Sequence, residues 1–432
     1  MQPPPPTRPA RRSGKRTRQL RVLLLLVACC VATCTAEVAL QLAPGLLPAS
    51  YRERFPPHGV EFFHRGLLDR TRIQDVPLPF GIDAYDGPPP SDLVGLGVAP
   101  PRASELDRQH TPRVVVPADA DGMPNATTVD APDAVFVGDS FTVFAAQREP
   151  PGLQRAVEDA LEVSVLNLSI SGLGPDRERF LLETLGLPKK PKLVVWFFFG
   201  GNDITDALWL TVYEGQGMKT YGDLFAGQRA PTLRLPGLLA SWLTSPPDKR
   251  LVQEPLPPLH AGGAERPFEL WLHPDVLRVV SVPRAVIAAN PGWTRAQAAI
   301  AAAQQASEAA GAEFLLVYLP CKAQIYLPLL ADDAALLHRY AQASQLVAIP
   351  MANDAATFQR AAVQNRNHIE DMVSDWCTQQ GVRYWSATPH LDRAARDGEQ
   401  LYYTADTHWR TSGQLVVATP LIAYLIEEKL LR

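Results

Sequence analysis

Cysteine is scarce in this chain: five in 432 residues, with Cys29, Cys30 and Cys34 inside one apolar run near the N-terminus. The other two, Cys321 and Cys377, cannot build a disulfide framework, and no Cys/His spacing fits a zinc site. Free buried thiols are expected there, and a single bridge between them stays open for an oxidising compartment. No metal and no cofactor is expected. Neither glycine cluster reads Gly-x-Gly-x-x-Gly, and Gly172-x-Gly174 stands without the rest of that fingerprint, so a dinucleotide-binding reading is weak. Internal repeats are absent. Positive charge is missing where a nucleic acid would need it. Seven basic residues, Arg8, Arg11, Arg12, Lys15, Arg16, Arg18 and Arg21, precede the first acid at Glu37, and the remaining 34 face 45 acidic residues. The body of the chain therefore offers no basic face for nucleic acid. An uninterrupted apolar run of the ~20 residues that a membrane span requires is also lacking.

Proline is plentiful: 41 residues, clustered in 1–9, 86–101 and 226–267. Such clusters make extended linkers or long surface loops around a core, and the length suffices for one large core or two modest ones. The sequence divides into a basic cytoplasmic tail (1–21), a transmembrane anchor or signal segment (22–43), a Pro/Gly-rich lead-in (44–130) and a core domain (131–432) with an insertion at 204–290. Seven positive charges followed by the apolar run from Val22 to about Ala36 form a targeting element. Val38-Ala39-Leu40 can extend that run past Glu37 to membrane length. The positive-inside rule then predicts a single-pass protein of the cytoplasmic membrane with its domain in the periplasm. A cleaved signal peptide is one rival reading. Lipidation is another, because Leu26-Val27-Ala28-Cys29 resembles the lipobox of bacterial lipoproteins.

From residue 131 the pattern alternates as βαβ. Strand Ala134–Val137 ends at Gly138-Asp139-Ser140, and a helix is expected around Pro151–Leu161. Strand Val163–Leu168 runs into Ser171-Gly172-Leu173-Gly174, and a helix over Asp176–Leu185 precedes strand Leu193–Phe199. That last run is too continuously apolar for a sheet with one wet face, so it belongs at the centre of a parallel sheet covered on both sides. Residues 204–290 interrupt the alternation with scattered aromatics, including Trp209, Tyr213, Tyr221, Phe225, Trp242 and Trp271, read as anchors of an irregular insertion. Periodicity returns with a helix from Thr294 to Ala310, strand Phe314–Leu319, a helix over Gln364–Gln379 and strand Val382–Trp385. A closing helix starts at Thr411-x-x-Gln414, a capping-box pattern, with its apolar stripe at Leu415, Ala418, Leu421, Ile422 and Leu425.

Three short blocks carry chemistry. Gly138-Asp139-Ser140 delivers a serine at the end of a buried strand, where open α/β sheets place reactive groups. Gly200-Gly201-Asn202-Asp203 follows the most apolar run, and Asp406-Thr407-His408-Trp409 lies far along the chain. With Gly172, these resemble, in order, the four sequence blocks of the SGNH (GDSL-type) esterase and acyltransferase superfamily. Leu401 to Trp409 is similar to the Tyr-x-x-x-Asp-Thr-His-Trp block of the alginate O-acetyltransferase group. Leu319-Pro320-Cys321-Lys322-Ala323-Gln324-Ile325-Tyr326 is similar to that group's Pro-x-Lys-x-x-x-Tyr segment. Many SGNH hydrolases have two residues between aspartate and histidine, whereas this chain has one. The resemblance covers about residues 131–432 and implies a flavodoxin-like three-layer α/β/α sandwich around a central parallel sheet.

A serine hydroxyl becomes a nucleophile when a base within about 2.6–3.2 Å takes its proton. Ser140 is the expected nucleophile, His408 its base and Asp406 the group that fixes the imidazole tautomer. Asp139 is expected to hold its own turn by local hydrogen bonds. The backbone N–H groups of Ser140 and Gly172 and the amide of Asn202 are the expected oxyanion donors, all three matching family roles. Bland readings stand beside these: Ser140 as a helix N-cap, His408 as a satisfied histidine in the cover of the last helix, and Asp406 as an Asx-turn residue. Asp203, Lys322, Tyr326 and Trp409 are candidates for substrate binding, against loop ordering or packing. The resulting expectation is a membrane-tethered extracytoplasmic serine esterase or O-acyltransferase, acting on envelope or secreted polysaccharide through an acyl-serine. Its partners would be an acylated or acylatable carbohydrate and, for a transferase, a multi-span membrane protein that supplies acyl groups. The alternative is a catalytically silent carbohydrate-binding or assembly protein on the same scaffold.

Overall fold

The run Leu193–Phe199 is buried at all seven positions and pairs on both sides, so it lies inside a sheet. The computed structural model describes residues 21–25, 27–28, 32–37, 85–87, 114–117, 119, 123–208, 256–262, 267–330, 334–344, 346 and 349–431. The strands of the central sheet are β1 (Ala134–Val137), β2 (Val165–Asn167), β3 (Leu193–Phe199), β4 (Glu313–Leu319) and β5 (Arg383–Ser386). Their spatial order is β2-β1-β3-β4-β5, and every neighbouring pair is parallel. This is the doubly wound order 2-1-3-4-5, which opens a crevice at the carboxyl edge of the sheet where the order reverses.

The main helices are α1 (Ser140–Ala145), α2 (Leu153–Leu161), α3 (Pro175–Leu181), α4 (Pro291–Ala309), α5 (His368–Gln380), α6 (Thr388–Arg396) and α7 (Thr411–Glu427). Alternation along the strands sorts them into two layers. Phe136, Leu193, Val195, Phe197, Leu315 and Val317 pack in one cluster with Leu153 and Val157 of α2, Leu391 of α6, and Val417, Leu421 and Leu425 of α7. Val135, Trp196, Phe198 and Leu316 are equally buried but fall outside that cluster. On their side Trp196 meets Phe314, α3 contacts α4, and Trp293 of α4 meets Trp376 of α5 edge-on at 6.2 Å. Each fully buried aliphatic or aromatic side chain in these layers is worth roughly 1.5–3 kcal/mol.

A polar clasp joins the first βα unit to the last helix. Gln147 donates to Thr411 Oγ1 at 2.8 Å, Gln414 donates to Gln147 Oε1 at 3.1 Å, and Leu153 N donates to Gln414 Oε1 at 3.1 Å. This overturns the expected capping box: Arg410 is the N-cap, without a side-chain bond, because Gln414 turns inward to α2. Leu415, expected in the apolar stripe, is 44% exposed. The helix expected over Gln364–Gln379 is two helices, Ala355–Asn365 and α5. The break is held by tertiary bonds, Asn365 Nδ2 donating to Ser281 O and Gln324 Nε2 donating to Asn367 Oδ1. The expected helix Asp176–Leu185 begins as α3 and passes into a wide π turn over Leu182–Gly186.

Within the described part of the 204–290 insertion, Leu259–Ala261 pairs antiparallel with Phe268–Leu270, and two short helices follow, Pro274–Val280 and Arg284–Ala288. Trp271 is buried and its Nε1 donates to Leu256 O, which fits the anchoring role; Trp209, Tyr213, Tyr221, Phe225 and Trp242 lie outside the described residues. Cys321 and Cys377 are free and buried, and burial pushes both thiols up to about 12. Neither is a nucleophile near neutral pH.

By contact the chain forms two compact units: Met1–Asp69 with Thr220–Lys249, and Arg70–Lys219 with Arg250–Arg432. In the first, residues 21–25, 27–28 and 32–37 are helical, and Val22, Leu23, Leu24, Leu25 and Val27 are each more than half exposed. No helix among the described residues is long and apolar enough to cross a membrane. The lead-in contributes Val114–Val116, which pairs antiparallel with Tyr85–Gly87.

Candidate active site

Strand β1 is buried throughout and stops at Gly138, where the chain turns directly into α1. Asp139, not Ser140, caps that helix: its Oδ1 accepts the N–H of Phe141 at 2.9 Å. Ser140 is therefore the first helical residue, half-buried at the carboxyl edge of the sheet. Phe141, one position on, points into the core and stacks on Phe199 of β3 with ring centroids 3.8 Å apart.

The last block returns to this point from the other end of the domain. Tyr402 and Trp409 form an antiparallel bridge, and Tyr403 N donates to His408 O at 3.0 Å, so residues 402–409 close into a tight loop. At its tip Asp406 Oδ1 accepts the backbone N–H of His408 at 2.7 Å and lies 2.7 Å from His408 Nδ1. The Asx turn expected as the bland reading is thus present, and the same carboxylate oxygen also meets the imidazole. On the far side of the ring, His408 Nε2 is 2.7 Å from Ser140 Oγ. An ionised carboxylate only accepts, so Nδ1 carries the proton and Nε2 presents its lone pair to the serine hydroxyl. The ring is held between Phe141 and Phe144, at centroid distances of 4.9 and 4.8 Å, and His408 is 6% exposed. Ser140, distant in sequence from the Asp406–His408 pair, therefore stands with it in one hydrogen-bonded row.

The three expected oxyanion donors lie on loops that leave adjacent strands β1, β2 and β3 at the same edge. Gly172 is exposed in a turn with φ +75, a conformation that suits a residue without Cβ. Asn202 is half-buried, and its side-chain oxygen has no hydrogen-bond partner. Gly200 permits the turn before it, since a Cβ there would run into the Tyr318 hydroxyl.

The four residues considered for substrate binding have other places. Asp203 is buried and its Oδ2 accepts the N–H of Phe199 at 3.0 Å, which closes the turn carrying Asn202. Tyr326 is buried; its hydroxyl accepts from Leu401 N at 2.8 Å and donates to Glu399 O at 3.0 Å. Trp409 is buried, with Nε1 donating to Phe141 O at 3.2 Å, so it ties the histidine loop to the serine helix. Lys322 is 2% exposed and bonded to main-chain carbonyls of residues 403–406. Of the alternatives, loop ordering fits Asp203 and packing fits Tyr326 and Trp409, while Lys322 is turned inward and not solvated as an ordinary lysine would be; each of the four bonds a backbone group.

Behind the serine sits an acidic group that the sequence blocks did not reveal. Asp139, Glu178 and Asp203 are buried, with half-buried Asp206 beside them. Burial, then repulsion from the neighbouring acids, pushes Glu178 and Asp203 well above the ordinary carboxylate range. Asp206 is raised to about 7 by burial and by Asp139, against the pull of Arg177. Burial also raises Asp139, opposed by the Phe141 N–H, His408, Asn202 and Ser140. Glu178 and Asp206 stand outside the quoted motifs, and only their position on helices that follow β2 and β3 hints at this convergence. A second histidine, His273, caps the helix Pro274–Val280; burial lowers its pKa against the attraction of Asp275 and Asp406. Among the described residues no group of three or more His, Cys, Asp or Glu is arranged to hold a metal ion.

No family model and no curated protein matches the sequence. Solved structures similar to the chain include a phospholipase A1 from Streptomyces albidoflavus, at 12% identity over 68% of this chain and 99% of that one, TM-score 0.36. A catalytic mutant of an acetylxylan esterase from Geobacillus stearothermophilus matches at 12% identity over 70% and 96%, TM-score 0.32. A putative lipolytic protein of the G-D-S-L family from Desulfitobacterium hafniense matches at 10% identity over 67% and 97%, TM-score 0.31. What this site can do follows from its own geometry.

Proposed function

We propose that the chain is a serine esterase or O-acyltransferase that works through an acyl-serine at Ser140. The observation that carries the reading is the row Ser140 Oγ–His408 Nε2–His408 Nδ1–Asp406 Oδ1, with both gaps at 2.7 Å. His408 Nε2 takes the hydroxyl proton as Ser140 Oγ attacks the acyl carbonyl, and Asp406 stabilises the imidazolium that forms. The carbonyl π electrons move to oxygen, where the N–H groups of Ser140 and Gly172 and the Asn202 amide receive the charge. Collapse of the tetrahedral species expels the alcohol, which recovers the proton from His408. An incoming hydroxyl, from water in an esterase or a sugar in a transferase, then gives its proton to His408 as its oxygen bonds to the acyl carbon; collapse breaks the bond to Ser140 Oγ, which takes the proton back from His408.

A carbohydrate substrate and an acetyl group are favoured by the likeness of Leu401–Trp409 to the alginate O-acetyltransferase block. Tethering to the cytoplasmic membrane, with the catalytic domain outside it, is favoured by the seven basic residues before the apolar run and by the exposed apolar side chains of Val22, Leu23, Leu24, Leu25 and Val27. A transferase would then need a multi-span partner to bring acyl groups across. The deciding experiment incubates the full-length chain in detergent with an aryl acetate and with acetylated and unacetylated oligosaccharides. Mass spectrometry should find an acyl group on Ser140, and Ser140→Ala should abolish both the adduct and turnover; equal turnover in that variant would sink the mechanism. Protease added outside sealed cells should digest the domain, and full protection would refute the topology.

A further inference from the structure

Lys322 follows β4 through Pro320 and Cys321, and it begins the short helix Lys322–Tyr326. Its Nζ donates to the carbonyl oxygens of Tyr403 at 2.5 Å, Thr404 at 2.9 Å and Asp406 at 3.2 Å. An ammonium has three protons and no acceptor, so three carbonyls match its capacity. The match has a consequence for the loop. Carbonyl dipoles that converge on one point repel one another, and the Lys322 ammonium offsets that repulsion at residues 403–406. Trp271 N, from the insertion, adds a second donor to Thr404 O at 2.9 Å. The curl is what presents the Asp406 carboxylate to His408 Nδ1.

We propose that Lys322 is a positioning residue for the acyl-transfer chemistry: its ammonium organises loop 403–406 so that Asp406, His408 and Ser140 stay in line. The proposal rests on the reading of Ser140 and His408 as nucleophile and base. Lys322 is too deeply buried to meet substrate, so its effect belongs in kcat and not in KM. A displacement of about 1 Å at a reacting group costs roughly 100-fold in rate. Lys322→Met keeps the apolar stem and removes the charge; kcat for an aryl acetate should fall by about 10–100-fold while KM changes less than about threefold.

The test compares full-length wild type, Lys322→Met and Lys322→Ala in steady-state turnover and in labelling of Ser140 by a fluorophosphonate. Proton NMR follows the low-field resonance of His408 Nδ1–H, which reports the bond to Asp406 whether or not the protein turns over. Wild type should show the resonance and Lys322→Met should lose it. Lys322→Ala, folded in the presence of propylammonium, should regain resonance and kcat with the amine bound and lose both on dialysis, whereas 1-propanol should restore neither. Persistence of the resonance with unchanged kcat in Lys322→Met, or equal rescue by the alcohol, would overturn the proposal. A wild type with the resonance but no labelling and no turnover would instead overturn the acyl-serine reading, and Lys322→Met would still report on the loop.

Discussion

Residues 401–409 are bonded along most of their backbone, while the turns at Gly172 and Asn202 leave polar groups unspent. In the first region Leu401 N, Tyr402 Oη, Tyr403 N and the carbonyls of Tyr403, Thr404 and Asp406 all have partners within the protein. In the second, Gly172 is open to solvent and the Asn202 side-chain oxygen has no partner. On the proposed acyl-serine chemistry, the difference follows from when each side acts. A base must be aligned with its serine before substrate arrives, so its loop is fixed in advance. The oxyanion forms only once a carbonyl is attacked, so its side can stay open: Gly172 is exposed there, while the unpartnered Asn202 oxygen is an acceptor and the Asn202 amide N–H engages Asp139.

The comparison can be broken from either side. The largest effect is expected from Asp406→Asn, which keeps the shape of the loop and presents the wrong tautomer; kcat should fall by about 10⁴-fold. Burst and steady-state kinetics on an aryl acetate would read this. Asn202→Ala should cost less, about 10²–10³-fold in kcat, as expected for one oxyanion donor among several. An Asn202→Ala loss as large as that of Asp406→Asn would mean that the two sides are not built on different terms. The smallest effect concerns the acids behind the open side. A carboxyl raised to about 7 in the folded chain binds a proton that the unfolded chain has released above about pH 4, so its contribution to stability is lost as pH rises between those values. Asp206→Asn removes that dependence. Its melting temperature should exceed that of wild type at pH 8 by roughly 2 °C or more and differ little at pH 4.5, as measured by thermal unfolding. An equal difference at both pH values would show that Asp206 ionises freely.

Much of the scaffold was legible because strands buried on both faces cannot hide. Leu193–Phe199 has no polar residue to turn toward water, so a central position was forced. The trio Ser140, His408 and Asp406, which the fold brings into one row, could be picked out by residue type and block order, since a serine at a strand end and an Asp-x-His pair have few uses together. Lys322 was not readable. A lysine after a strand ordinarily sends its ammonium to solvent, and only the curl of residues 403–406 makes the interior the better place. Tyr326 and Trp409 stayed open between substrate contact and packing for a similar reason: an amphipathic side chain does not record which backbone group it will satisfy. Thr411 and Gln414 have the spacing of a cap, yet Gln414 finds a better partner in Leu153 N, far away in sequence. Local pattern lost to tertiary contact at each of these positions. Glu178 and Asp206 escaped notice because a helix carboxylate normally faces water, and only packing against neighbouring loops draws these two together behind Ser140.

The clasp of Gln147, Leu153, Thr411 and Gln414 has a consequence in time. Its bonds join residues more than 260 positions apart, and contacts between such remote segments form late because the intervening chain must be ordered before they can close. The same docking of α7 against α2 carries the histidine loop to the serine helix. During refolding, secondary structure and core burial should therefore be well advanced while the molecule is still inert, and reactivity should arrive with the final closure.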